Sequence, residues 1–374
     1  MIPLFKVAMN PEASKAVDKV LYSGFIGQGE VVEEFERQLK QSFNNPYLVT
    51  VNSGTSALHL ALRLIKDKHP EKKYIISTPL TCTATNWAIL AAGFEIIWAD
   101  IEPNTLNICP ESVLKLTLEE KTYYEIAAVM VVHWGGAAAD IKKIKSLTGL
   151  DIIEDCAHAF GSYYELPATK DESTLVGNSG NYCCFSFQAI KHLTTGDGGM
   201  LILPNEEEYK KAKLLRWYGI DREGDRKDFR CEAPINDWGY KYHMNDINAA
   251  IGIENLKIFG DNVRRHQNNA GFYDWWLNDN SRFITPLYFD EGSSYWIYSI
   301  LVEDRDNFQR AMKDRGVMTS QVHERNDLHP CVKQFKTELP NIEKVISKLS
   351  SLPVGWWVTD ENREYIVEQI KKGW

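Results

Sequence analysis

The sequence predicts an α/β fold, with a mainly parallel sheet in a large first domain and a smaller C-terminal α+β domain. Three observations carry this reading. Short apolar runs alternate with helix-compatible stretches through the first two-thirds of the 374 residues. One run, Ala127 to His133 (AAVMVVH), is almost unbroken in its apolar character, as a strand covered on both faces must be. No internal repeat, low-complexity tract or Gly/Ser linker interrupts the alternation.

Taken in order, Tyr74 to Ser77 reads as a strand, Thr85 to Ala92 as a helix and Glu95 to Ala99 as a strand. After the Ala127 to His133 strand, Asp140 to Leu147 is amphipathic, with Ile141, Ile144 and Leu147 expected on one face. Asp151 to Glu154, Tyr182 to Phe187 and Gly199 to Leu203 read as strands. Strands joined by helical crossovers run parallel, and ligands of such sheets sit beyond the strands' carboxyl ends. A long helix is expected from Asn245 to about Asn278. Beyond it, Ser294 to Glu303 (SYWIYSILVE) reads as a strand and Arg305 to Arg315 as a helix, with the domain boundary near 250–285.

The bulk composition excludes several classes. A hydrophobic content of 44% supports a sizeable core, and a net charge of −9 argues against a polyanion such as nucleic acid as partner. No stretch approaches the roughly 20 apolar residues of a membrane span. The opening MIPLFKVAMNPEASK has no apolar signal core, so a cytoplasmic protein is expected. Cys82, Cys109, Cys156, Cys183, Cys184, Cys231 and Cys331 show no C-x-x-C spacing, which fits reduced thiols. No H-E-x-x-H spacing is present, and no metal is expected.

The chemistry concentrates in three segments. In SFQAIKHLTTGDGG, Lys191 follows a strand and turn and precedes a glycine-rich loop. It reads either as a surface lysine or as a Schiff-base lysine, which must lose its proton at neutral pH. In IIEDCAHAFG, Asp155 ends an apolar strand. A strand-end aspartate is either a helix N-cap or, opposite such a lysine, the partner of a protonated pyridine nitrogen. In VTVNSGTSALHLAL, Gly54, Thr55 and Ser56 open a helix. They read either as a plain cap or as a phosphate cradle of free N–H groups and hydroxyls at a positive dipole end. Ser186, five residues before the lysine, could add a hydroxyl.

Seven motifs occur in order: FIGQGEVVEEFE (25–36), SGTSALHLAL (53–62), TPLTCTATNWAILAAGFEIIWADIEPNTLNI (78–108), VVHWGGAAADI (131–141), IIEDCAHAFG (152–161), SFQAIKHLTTGDGGML (186–201) and YKYHMNDINAAIGIENL (240–256). In this, nearly the whole chain resembles the DegT/DnrJ/EryC1/StrS sugar aminotransferases. The resemblance implies the pyridoxal-phosphate-dependent transferase fold type I of aspartate aminotransferase. A mainly parallel seven-stranded sheet would occupy a large domain with an N-terminal arm (1–255), followed by a small α+β domain (256–374). It implies pyridoxal 5'-phosphate as cofactor, with Lys191 as the Schiff-base lysine and Asp155 at the pyridine nitrogen. His158 would lie near the cofactor's hydroxyl, and Gly54, Thr55, Ser56 and Ser186 would hold its phosphate. Cys82 stands where many relatives stack an aromatic ring on the cofactor. His243 stands where several place an Asn that reaches the neighbouring subunit's phosphate, so a C2 homodimer with shared sites is expected. His323, Arg325 and His329 lie near a segment that shapes the sugar pocket in relatives, or are ordinary loop residues.

The activity so implied is transfer of an amino group from L-glutamate, released as 2-oxoglutarate, to a keto sugar. The acceptor is expected to be a nucleotide-linked 4-keto-6-deoxy sugar, GDP-linked in the first instance, used for surface polysaccharide or glycoconjugates. Three alternatives stay open: a sugar 3-dehydratase of the same family, an aminotransferase for a keto-acid sugar without nucleotide, and a non-catalytic relative. The dehydratase branch carries His where this chain has Lys191. A dinucleotide-binding loop at Gly27-Gln28-Gly29 would lack its third glycine and a preceding strand.

Overall fold

In the computed structural model, residues 1–118, 124–165, 174–224, 234–280, 284–286 and 292–374 are described. Helices α1 (Ala13–Leu21) and α2 (Glu30–Phe43) lead into β1 (Leu48–Val51), α3 (Gly54–Lys68), β2 (Tyr74–Ser77), α4 (Thr83–Ala91) and β3 (Glu95–Trp98). Next come α5 (Pro110–Thr117), β4 (Ile126–Val132), α6 (Ile141–Thr148), β5 (Asp151–Asp155), β6 (Tyr182–Ser186), β7 (Gly199–Ile202) and α7 (Glu206–Leu215). The strands form one seven-stranded sheet in the order β1-β7-β6-β5-β4-β2-β3. From β6 to β3 every pairing is parallel; β7 runs antiparallel to both of its neighbours.

Burial explains the pattern. All seven residues of β4 are buried, because helices cover both faces of the sheet and leave its central strands no wet side. Helix α3 packs its length on the sheet through Leu58, Leu60, Leu62 and Ile65, and Ser53 caps it by accepting from the Ser56 N–H. Helix α6 is capped by Asp140 and ends at Gly149, whose φ of 66° is the left-handed conformation that glycine adopts without strain. Its buried face is Ile141, Ile144 and Thr148; Leu147 is 37% exposed, contrary to the expected stripe. On a helix the residue seven positions on, Thr148, returns over Ile141, whereas the one six positions on, Leu147, lands about a third of a turn away.

Helix α8 (Asp246–Asn280) is 35 residues long and runs unbroken through the expected division at 255/256. It packs against α1 and α2 and also against α11 (Asp360–Lys371). A second, antiparallel sheet, β10-β9-β8, comprises β8 (Ile284–Pro286), β9 (Tyr298–Val302) and β10 (Leu349–Leu352); α9 (Arg305–Asp314) and α10 (Pro340–Val345) complete the chain. Strand β9 starts four residues later than the sequence suggests. Before it, Tyr295 has a φ of 50°, and the carbonyls of Ser294 and Tyr295 accept from His192 and His266 rather than from a strand.

Buried polar bonds latch the C-terminal part to the main sheet. The Asn326 amide donates to the Thr81 carbonyl and accepts from Asn86, while its backbone N–H reaches the Pro79 carbonyl. On another side, the Asp100 carboxylate accepts from the Asn341 and Ile342 N–H groups and so caps α10 from across the boundary.

Candidate active site

The carboxyl edge of the sheet gathers the chemistry. Asp155 ends β5, paired in register with Val132 of β4 and Cys184 of β6. Its carboxylate is 5% exposed and oriented by two donors: the Thr85 hydroxyl at 2.6 Å and the Ala157 N–H at 3.0 Å. Thr81 bonds Thr85 in turn at 2.9 Å. One residue earlier, Glu154 accepts from His133, Tyr164, Ser179 and Asn181, which braces this end of β5. Cys156 also lies near His133 and Glu154, but those bonds already occupy the carboxylate.

Ser186 ends β6, and the turn after it carries Lys191, whose N–H is held by the Gln188 carbonyl. Lys191 is half-buried as a residue, but its amine is buried, and that burial pushes its pKa down from 10.5 to about 8, against the opposing pull of the nearby Asp155 and Cys82. The Lys191 Nζ lies 3.6 Å from the centre of the Trp296 indole.

The N-terminus of α3 faces the same edge. A Cβ on Gly54 would come within 2.8 Å of the Ser186 Cβ, so glycine is what lets the helix end approach the strand end. Thr55 is exposed there, and the first N–H groups of a helix have no intrahelical acceptors. Ser56 follows on the same turn. Its buried hydroxyl donates to Asn52 Oδ1 at 2.6 Å and sits 2.9 Å from the Ser53 hydroxyl, so it builds the helix cap.

Three rings line up beside Lys191. His158 stacks on Trp296 at 3.9 Å and is parallel to His323 at 5.5 Å. The Gly135 N–H donates to His158 Nδ1, which places the histidine's proton on Nε2. Burial, reinforced by Lys191 and the neighbouring histidines, keeps the His158 pKa well below its ordinary value. His323 is lowered to about 4 by burial and Lys191, and its Nε2 is buried with no partner among the described residues.

The other expected residues have the following surroundings. Cys82 is half-buried just before α4 and is felt electrostatically by Lys191, but the aromatic face against the lysine is Trp296, from the other end of the chain. His243 stacks on Trp217 at 3.5 Å rather than joining the cluster at Lys191, although the adjacent Lys241 and Tyr242 carbonyls accept from Asn52. His329 packs edge-on against Trp87, and buried Arg325 is forked onto Asp327 at 2.7 and 3.0 Å. The Gly27-Gln28-Gly29 turn is no phosphate site: the Asp246 carboxylate accepts the Gly29 and Val32 N–H groups there. A cleft of about 810 Å³ opens at the opposite ends of β5 and β6, beside Asp151 and Tyr182, away from this chemistry.

Thr85 and Trp296 were missed in the sequence. Thr85 sits four residues after Thr81, the helical spacing that could have marked a paired hydroxyl contact. Trp296 hides in an alternation that reads as a plain strand.

The buried neutral histidines make acid sensitivity an expected property. His266, lowered to about 4 by burial, and His323 must stay neutral in the folded chain, while unfolding returns them to about 6.5. Their contribution is complete above pH 6.5 and is lost as pH falls through 4. His266 alone should cost on the order of 3 kcal/mol by pH 4. A melting temperature that stays level from pH 7.5 to 4.5, followed by circular dichroism, would contradict this.

Comparison with known proteins matches this geometry to a family. The model of the DegT/DnrJ/EryC1/StrS aminotransferase family covers residues 7–371. The chain is 30% identical to the spore coat polysaccharide biosynthesis protein SpsC of Bacillus subtilis, over 99% of this chain and 96% of that one. It is 33% identical to the UDP-4-amino-4,6-dideoxy-N-acetyl-beta-L-altrosamine transaminase of Campylobacter jejuni, over 76% of this chain and 72% of that one. The solved sugar aminotransferase CalS13 of Micromonospora echinospora superposes with a TM-score of 0.92 at 37% identity, over all of both chains. With a fold type I sheet, a lysine, a carboxylate and a helix N-terminus at one edge, and a match along almost its full length, the chain belongs to the DegT/DnrJ/EryC1/StrS aminotransferase family.

Proposed function

We propose that this sugar aminotransferase uses pyridoxal 5'-phosphate to move an amino group from L-glutamate to a nucleotide-linked 4-keto-6-deoxy sugar. One observation carries the reading: a buried amine of lowered pKa, a fixed carboxylate and a helix N-terminus open to an anion meet at one sheet edge. These donors fit the cofactor's aldehyde, ring nitrogen and phosphate. When bound, the cofactor supplies the electron sink that stabilises a substrate carbanion.

Asp155 would hold a proton at the ring nitrogen, with Thr85 and the Ala157 N–H keeping its oxygens in place. The Gly54 and Thr55 N–H groups and the Thr55 and Ser186 hydroxyls would bind the phosphate. His158 would offer its Nε2 proton to the ring hydroxyl. Lys191 would anchor the aldehyde and, once released, would move a proton between the nitrogen-bearing substrate carbon and the cofactor's former aldehyde carbon. His323 would face the sugar. The reading includes a C2 homodimer with shared sites, in which His243 serves the partner's phosphate.

The nucleotide is tested directly. Purified protein is offered L-glutamate with UDP-, GDP- and dTDP-linked 4-keto-6-deoxy sugars, with 2-oxoglutarate and product mass as readouts. Amination of at least one acceptor is expected. The UDP arm is motivated by the Campylobacter jejuni transaminase, the GDP arm by the reading of the sequence. Failure to form 2-oxoglutarate with every acceptor would sink the proposal.

A further inference from the structure

Trp296 belongs to the lead-in to β9, yet its ring face meets the Lys191 amine. Its indole N–H donates to the Ile190 carbonyl at 2.9 Å, which ties the ring to the peptide that carries Lys191. The ring is 3% exposed and held by neighbours: Phe5 of the N-terminal arm stacks at 5.0 Å, and His158 at 3.9 Å. The lysine Nζ sits 3.6 Å from the indole centroid, well within cation–π range.

We propose that Trp296 is a positioning residue, whose ring face seats the Lys191 amine when the lysine is not bound to the cofactor and favours the form that carries the proton to be returned. This rests on the reading of Lys191 as the cofactor lysine and assigns a role to a residue that reading leaves out.

The surroundings make the ring face matter. Asp155 from β5 and Cys82 before α4 favour the charged amine, and burial opposes it. His158, His323 and His192 also crowd the amine; each is held neutral chiefly by its own burial, and all three are disfavoured as cations by Lys191. Asp155 is already committed to Thr85 and the Ala157 N–H. The indole therefore supplies attraction for the proton-bearing amine without an acceptor that could take the proton away. A released lysine would then rest in one place, loaded and ready to give its proton back.

The test keeps shape constant and changes only ring electronics. Trp296 is replaced site-specifically by mono-, di- and trifluorinated tryptophan, which weakens the π face without altering burial. Apoprotein is mixed with pyridoxal phosphate over pH 6 to 10, and the rate of covalent capture is followed. The amine reacts as its free base, so the midpoint reports the Lys191 equilibrium. The midpoint is expected to fall stepwise with fluorination, by about one pH unit across the series. Superimposable profiles would overturn the proposal. Covalent capture persisting in Lys191→Ala would instead overturn the underlying reading of Lys191.

Discussion

Lys191→Ala is expected to abolish covalent capture of pyridoxal phosphate and to lower amino transfer by about a thousandfold or more, the combined loss of a nucleophile and a general acid–base group. The protein should still fold, because among the described residues the amine makes no hydrogen bond that stabilises the turn; that turn is held by backbone bonds such as Lys191 N–H to Gln188 and Thr195 N–H to Phe187. Lys191→Arg should not rescue, since a guanidinium stays protonated where an amine must be free. In the wild type, the capture rate should climb with pH and level off above about 8, where burial has moved the amine's equilibrium. Absorbance of the lysine-bound cofactor and single-turnover rates check each statement. A Lys191→Ala protein with activity within tenfold of wild type would remove the basis for the assignment.

Asp155→Asn should have the next largest effect. The amide oxygen can still accept from Thr85 or the Ala157 N–H, so geometry and folding survive. What disappears is the negative charge that would keep a proton on the ring nitrogen. Removing one member of a buried charge pair costs about 3–5 kcal/mol, which in kcat corresponds to a loss of roughly a hundredfold to several thousandfold. A second readout separates charge from packing. Asp155 raises the Lys191 pKa, so without it the pH midpoint of covalent capture should fall below that of wild type. An Asn variant with wild-type kcat and an unmoved midpoint would show that the carboxylate is not paired with the cofactor.

The large domain was legible because its strands are apolar, bounded and separated by helices, and each constrains the next. The meeting of Lys191, Asp155 and the α3 N-terminus was legible for a related reason: one follows a strand by a short turn, one ends a strand and one begins a helix, and parallel topology brings such ends together. The sequence was silent where partners come from far along the chain. Asp100 carries no local mark of its partner, and only the fold shows that it caps α10, about 240 residues away. His323 and His329 are six residues apart and looked alike. The turn through Arg325–Asp327 sends one to Lys191 and the other to Trp87. Trp296 has the pattern of strand core, and nothing local announces that the chain breaks from extended form at Tyr295.

The latches at Asn326 and Asp100 bear on how a bulky acceptor can arrive. A clamshell opening of the two lobes would have to rupture several water-shielded bonds at once, including a carboxylate seated on a helix end. The site's walls are thus in place before anything enters. An arriving acceptor would meet a rim whose shape those bonds have already set.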